Sequence, residues 1–407
     1  MRHIAFILLP VLTILSLWQT SNGSKNVPPI IFVPGDGGSQ LEAKLNKTST
    51  VHYICQKTTP DYFSLWLNIE LLVPVVIDCF IDNIKLVYNN ETRKTTNQPG
   101  VDIRVPNFGD PFSVEWLDPT KLSPGAYFKD IGNALVEMGY ERNVSIKGAP
   151  FDFRKGPSES LEYFANLKKL VEETYDQNNN TKVILLVHSM GGPMSVLFCQ
   201  MQTQAWKDKY IRAIVSLSGA FAGAVKALKV FVMGDDLGVF VLNQSVLKEM
   251  QITLPSLAWL MPNPLFWKPD EILVHTASKN YSLSNIREFF EDIDYMTAWE
   301  MRQDQAPYIK FDAPGVEIHC LHGYGVHTLE KLMYKEGKFP ESPSFKYGDG
   351  DGTVNKRSLE SCTYWAGRQK QKVFHRKFLS VDHMQILREG QVLEYILGLV
   401  KKIQSES

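Results

Sequence analysis

The chain has 407 residues, 44% of them hydrophobic and 21% charged, with a formal net charge of -1. That length and apolar content support one large core with an accessory region, or two domains, and argue against disorder. The near-zero charge leaves no basic footprint for gripping phosphate backbones, which excludes nucleic acid as a partner class.

Arg2 and His3 lead into an apolar run over residues 4–18, followed by the small and polar stretch "QTSNGSK". This is the layout of a secretory signal peptide, residues 1–23, and the run is shorter than the roughly 20 residues a membrane span needs. Sequons at Asn46, Asn90, Asn143, Asn179, Asn243 and Asn280 agree with export to a lumen or the exterior. Five cysteines in an oxidising compartment allow two bridges and one leftover thiol. Cys55 and Cys79 bracket a hydrophobic stretch, and closing that loop contributes about 3 kcal/mol in the chain-entropy model. Cys320 and Cys362 are read as a second pair. Cys199, within an apolar helical pattern, is read as a buried, inert thiol.

After the signal, "PPIIFVPGDGGSQLEAKL" reads as a short buried strand that breaks at Pro34 into a glycine-rich loop. Helical patterns run through "AYFKDIGNALVEMGY" and "SLEYFANLKKLVEETYDQNNN". The strand "KVILLV", a serine corner, a helix and the strand "YIRAIVSLSG" follow. Strands alternating with helices predict a parallel sheet covered on both faces. Over residues 220–264 periodicity degrades into a low-charge segment, which reads as a lid or cap. Alternation resumes with "EIHCLHGYG", "TYWAG" and "KVFHRKFLSV", and the chain ends in an apolar-periodic helix over residues 385–401.

The corner "VHSMGG" puts Ser189 between a buried strand and a helix opened by Gly191, Gly192 and Pro193. This is the shape of a nucleophile elbow, although Val187 replaces the first glycine of G-x-S-x-G, so a plain helix-capping serine is the bland alternative. A serine nucleophile needs a base and an orienting carboxylate, in the chain order Ser, Asp or Glu, His. "KYGDGDGTVNKRS" supplies Asp349 and Asp351, and "LSVDHMQIL" supplies His383 where a strand gives way to the last helix. Of the nine histidines His383 fits best by order, while His188 is expected to point away from the serine's side of its strand. Asp351 is read as the acid and Asp349 as a brace of the turn. The "GDGDG" loop lacks the spaced oxygen ligands and terminal glutamate of an EF-hand. The oxyanion hole requires two N–H groups, here those of Met190 and, from the "PGDGGSQ" loop, Asp36. No lysine follows those glycines as a phosphate-cradling motif requires.

Together with "PGDGGSQLEAKL", "YFSLWLNIELLVPVVIDCFIDNIKLVYN", "GVDIRVPNFG", "HSMG", "QAWKDKYIRA", "MRQD", "GDGDGTVN" and "WAGRQ", these residues resemble the lecithin:cholesterol acyltransferase family, in particular its lysosomal phospholipase A2 (group XV) branch. The resemblance covers residues 24–407. It implies an α/β-hydrolase fold with a disulfide-clamped membrane-binding subdomain (about residues 50–85) and a mobile lid (about residues 220–264). It implies Ser189, Asp351 and His383 as the triad, Asp36 and Met190 as the oxyanion hole, and a Cys55–Cys79 disulfide. It further implies cleavage of glycerophospholipid acyl esters, with the acyl group passed to water or a lipid alcohol such as ceramide, in the lysosome lumen or after secretion. Departures from the family pattern fall at Phe151 and Phe153 in "APFDFR", at Phe221 in "SGAFAG", and at Gly192.

The segment over residues 63–81 is apolar on nearly every side, yet Asn68, Glu70, Pro74 and Asp78 make it unsuitable for spanning. Trp66, Leu67, Leu71 and Leu72 are read as an interfacial surface that docks into one leaflet of a phospholipid membrane. The alternative is packing inside an accessory cap, with a tip left to insert. No His and Cys cluster has metal-ligand spacing, so neither a metal nor a cofactor is expected. Two competing functions are a secreted phosphatidylcholine-sterol acyltransferase and a non-catalytic lipid-binding protein on a hydrolase scaffold.

Overall fold

The computed structural model describes residues 27–121, 125–236 and 244–406. The signal-peptide segment 1–23, the Asn243 sequon and residues 237–243 of the expected lid lie outside the described residues.

Six parallel strands form the main sheet: β1 (Ile30–Val33), β2 (Ile146–Gly148), β3 (Val183–His188), β4 (Ile211–Leu217), β5 (Ile318–Tyr324) and β6 (Val373–Leu379). Their spatial order is β6-β5-β4-β3-β1-β2, so the chain winds first one way from β1 and then the other. β1 and β3 are buried along their whole length, as their unbroken apolar sequences require when helices cover both faces. β6, at the edge, is mostly exposed or half-buried. The helix Leu161–Gln177 turns Phe164, Leu167, Leu170, Val171 and Thr174 inward, an i, i+3, i+7 stripe. The helix Gly191–Gln200 is buried nearly all round, which is why its sequence shows no polar face. Phe32 of β1 stacks on Phe128 with centroids 4.8 Å apart, and truncating such a buried ring typically costs about 3–5 kcal/mol. This is the α/β-hydrolase arrangement, with the β3-to-helix corner near the middle of the sheet.

Both expected disulfides are present, Cys55–Cys79 and Cys320–Cys362, and Cys199 is a buried free thiol that burial pushes up to about 12. Among the described residues no helix is long and apolar enough to cross a membrane.

Three sequence expectations need correction. "TYWAG" is not a strand: it falls in the 3-10 helix Glu360–Trp365 and the turn after it, where buried Trp365 donates to the Phe311 carbonyl. Aromatic and β-branched residues gave it the look of a strand. Residues 220–264 are not irregular, since they hold the helices Lys226–Met233, Gln244–Gln251 and Pro255–Trp259. Those helices are short and two of them are buried on several sides, so they carry no long amphipathic stripe. Finally, Trp66, Leu67 and Leu72 are buried rather than presented to a bilayer, and Leu71 is half-buried. Trp66 stacks near Phe80 and Phe153 and donates its indole N–H to the Gly37 carbonyl at 2.8 Å. A loop carbonyl enclosed by protein needs such a donor, which draws the apolar run inward. The apolar side chains left exposed in this region are Val51, Tyr53, Ile54, Val73 and Val75.

Candidate active site

Ser189 sits at the end of β3 with φ of 53°, a left-handed conformation that a non-glycine residue adopts only when its surroundings enforce it. The enforcement is visible: its N–H donates to the Leu217 carbonyl, and its own carbonyl accepts from Gly192 and Ala220. The corner is tight enough that a Cβ on Gly191 would lie 2.4 Å from the Pro34 oxygen and 2.5 Å from that of Val33. Glycine there lets the new helix pass the end of β1.

Three side chains distant in sequence meet at this corner. His383 Nε2 lies 2.9 Å from Ser189 Oγ, and its Nδ1 lies 2.7 Å from Asp351 Oδ2. The Asp351 carboxylate, fully buried, also accepts from the Val354 and Thr353 N–H groups. Burial pushes that carboxyl up, but the His383 imidazole and those two N–H groups outweigh it and hold the group below the usual carboxylate range. Asp349, the other acid of the loop, accepts from the Gly325 N–H at 2.6 Å and from Lys356 at 2.8 Å. It braces the turn, as its position suggested. The N–H groups of Asp36 and Met190 both border Ser189's corner and donate to nothing among the described residues.

Two residues that sequence reasoning did not assign support the site. Tyr127 accepts from the Gly35 N–H at 3.0 Å and bonds His188 Nδ1, while His188 Nε2 donates to the His383 carbonyl at 2.8 Å. Burial, then the nearby His383, push His188 down to about 3, so it stays neutral and keeps this pattern. His188 is not remote from the triad as the sequence reading expected: its ring centroid lies 4.8 Å from that of His383, and it anchors the main chain of His383. The pair could not be found from sequence, because Tyr127 reads as one apolar position of a helix. Replacing Tyr127 with phenylalanine is expected to cost about 1–3 kcal/mol by orphaning two buried groups. Denaturant midpoints measure that cost, and kcat should fall with it because the Gly35 loop and His383 lose a shared anchor.

A cavity of about 950 Å³ opens on Ser189 and His383, walled by Trp66, Leu67, Leu117, Val230, Leu254 and Leu257. It is at the upper end of ligand-pocket volumes and mostly apolar. Asp36, Lys226 and Asp235 give it one charged side. The Asp36 side chain opens onto this space although protein surrounds it, and burial, then the Asp235 carboxylate, push it up to about 6 against the pull of Lys226 and the Gly37 N–H. A cavity of about 30 Å³ beside Phe221 and Trp365 touches neither Ser189 nor His383.

The lecithin:cholesterol acyltransferase profile matches residues 62–312 and 303–390. The chain belongs to the lecithin:cholesterol acyltransferase family. Within this family, the lysosomal phospholipase A and acyltransferase of Homo sapiens is 44% identical over 371 residues, 91% of this chain and 89% of that protein. The phosphatidylcholine-sterol acyltransferase of Gallus gallus is 42% identical over 367 residues, 89% and 88% of the two chains. A Bacillus licheniformis lipase aligns over 92% of both chains with a TM-score of 0.38 and 12% identity. The fold assignment rests on the strand order and the serine corner rather than on that likeness.

The departures from the family pattern are buried, and none of them lines the large cavity itself. The Phe221 ring lies 3.1 Å from where a Cβ on residue 192 would sit, so glycine at 192 leaves room for it. Phe153 packs on Trp66 in the cavity wall, and Phe151 is buried with its N–H on Ser39 Oγ. Although no sequence spacing announced a metal site, the fold gathers His322, Glu360 and His375 into one group outside the triad.

Proposed function

We propose that this chain is a phospholipase A and lipid acyltransferase acting through an acyl-serine intermediate. The observation that carries the reading is a serine, a histidine and an aspartate at 2.9 and 2.7 Å on the wall of a large apolar cavity. Ser189 attacks the ester carbonyl while His383 Nε2 takes its proton, and Asp351 steadies the imidazolium. The Asp36 and Met190 N–H groups hold the oxyanion, aided by the start of the helix Gly191–Gln200. His383 then protonates the departing lysolipid alkoxide. Water, or a lipid hydroxyl when the apolar cavity excludes water, resolves the acyl-Ser189 ester.

Identities of 44% and 42% to relatives named as a lysosomal and a sterol acyltransferase lie too close to choose between them. The deciding experiment incubates the protein with phosphatidylcholine vesicles holding either ceramide or cholesterol, at acid and at neutral pH, with product analysis. Acyl-ceramide and free fatty acid formed best at acid pH support the lysosomal reading, whereas a steryl ester formed only at neutral pH replaces it with the sterol one.

Asp36 links the reading to an acidic lumen. Below about pH 6 its carboxyl is neutral; above it, a carboxylate beside the oxyanion amides opposes the charge that develops there. Asp36→Asn, neutral at every pH, is therefore expected to lose less activity between acid and neutral pH than the unaltered chain. Equal ratios of the two rates in both proteins contradict this. Residence in that compartment is further supported by Asn46, Asn90, Asn143, Asn179 and Asn280, all exposed as glycosylation requires. For membrane docking, the exposed Val51, Tyr53, Ile54, Val73 and Val75 around the Cys55–Cys79 bridge replace the buried Trp66, Leu67 and Leu72. The segment over residues 220–264 acts as the lid over the cavity that its Val230, Leu254 and Leu257 help to wall.

A further inference from the structure

We propose that His322, Glu360 and His375 form a binding site for a divalent transition-metal ion of the zinc type, separate from the catalytic triad. β5 and β6 run parallel with Cys320 opposite His375 and His322 opposite Lys377, so these four side chains leave one face of the sheet. The 3-10 helix Glu360–Trp365 lies against that face and is tied to it by the Cys320–Cys362 disulfide, with Cα atoms 6.7 Å apart. The bridge thus delivers Glu360 to the two histidines. One ligand atom from each of the three residues lies within 4.8 Å of the others.

The local chemistry suits the three side chains to act as ligands. His322 Nδ1 donates to the Gly323 carbonyl at 2.8 Å, which leaves the Nε2 lone pair free to act as a ligand. The two Nε2 atoms are 2.8 Å apart, with ring centroids at 5.0 Å and planes 25° from parallel. In a tetrahedral zinc site with Zn–N of about 2.0–2.1 Å, two such nitrogens stand about 3.3 Å apart, so the rings need to part by roughly half an ångström. Without metal, the His375 Nε2–H donates to His322; on binding, His375 carries its proton on Nδ1 instead, and both imidazoles remain neutral ligands. Glu360 supplies the third, anionic ligand. His375 is exposed and Glu360 half-buried, which gives an entry path and leaves a fourth position for water. Lys377, 3.7 Å from Glu360, is the cation the ion would displace.

The test uses the full chain, stripped of metal and titrated with zinc or cobalt(II) ions alone, read by calorimetry, by bound-metal analysis and by the thermal midpoint. Because a Ser189–His383 pair can itself take up an ion, the background is the His383→Ala variant. In that background the site is expected to bind one equivalent, to raise the thermal midpoint, and with cobalt(II) to give the visible absorption of a tetrahedral complex. Adding His375→Leu, on the exposed edge strand, or Glu360→Gln should remove the equivalent, the midpoint shift and the absorption. No bound equivalent in the His383→Ala chain, or one that survives both further substitutions unchanged, would overturn the proposal.

Discussion

Ser189→Ala is expected to abolish ester cleavage and acyl transfer together, lowering kcat by roughly 10⁶-fold while the folded state and vesicle binding persist. The hydroxyl's side-chain partner is His383 Nε2, and the corner itself is held by main-chain bonds of residue 189, so the loss falls on chemistry rather than on stability. Release of labelled fatty acid and of acylated lipid alcohol from one vesicle preparation reads both reactions at once. Asp351→Asn should cost about 10⁴-fold, because an amide at that place stabilises the wrong tautomer of His383. A lipid carrier on a silent hydrolase scaffold would show neither effect, so an unaltered chain without ester cleavage, matched by Ser189→Ala in undiminished lipid transfer, would leave only that reading.

The second large effect is expected of Gly191→Ala. The added methyl would meet main-chain oxygens of Val33 and Pro34 at 2.5 and 2.4 Å, atoms that no side-chain rotation can clear. Either the helix Gly191–Gln200 or the end of β1 must retreat, and each movement displaces one of the two N–H groups assigned to the oxyanion. A misplacement of about 1 Å costs on the order of 100-fold in rate, so kcat should fall by at least that much. The overpacked corner should also lose about 1–3 kcal/mol of stability. Gly398, in the helix Gly390–Glu406 with open space around it, is the matched control: alanine there should leave kcat unchanged and not lower the thermal midpoint. Equal behaviour of the two variants would show that the corner tolerates slack.

The contrast between what the sequence announced and what it concealed follows from how locally each feature is encoded. Five of the six main-sheet strands stand within a residue or two of the segments that announced them; β1 and β3, buried on both faces, are apolar nearly throughout, whereas the edge strand β6 carries the charged pattern of a half-exposed one. Ser189, Asp351 and His383 were chosen by chain order and by the turn residues around them, and they lie within hydrogen-bond reach of one another. The helices Lys226–Met233, Gln244–Gln251 and Pro255–Trp259 escaped notice because each is too short to sustain a helical period, and the first and last show little solvent face. Trp66 was misplaced for a related reason: apolarity alone does not distinguish a side chain aimed at lipid from one that donates to Gly37 in a cavity wall. Tyr127, His188 and the His322, Glu360 and His375 group depend on strand register and on a disulfide far along the chain, neither of which leaves a local pattern.

Acid-quenching the protein during turnover of a labelled phospholipid, digesting it and weighing the peptide that carries residue 189 tests the acyl-serine directly. An added acyl mass on Ser189 that disappears when ceramide is supplied as acceptor, and never forms in Ser189→Ala, is the predicted result. Continued product formation with no acyl group on Ser189, or with the acyl group on another residue, would contradict it.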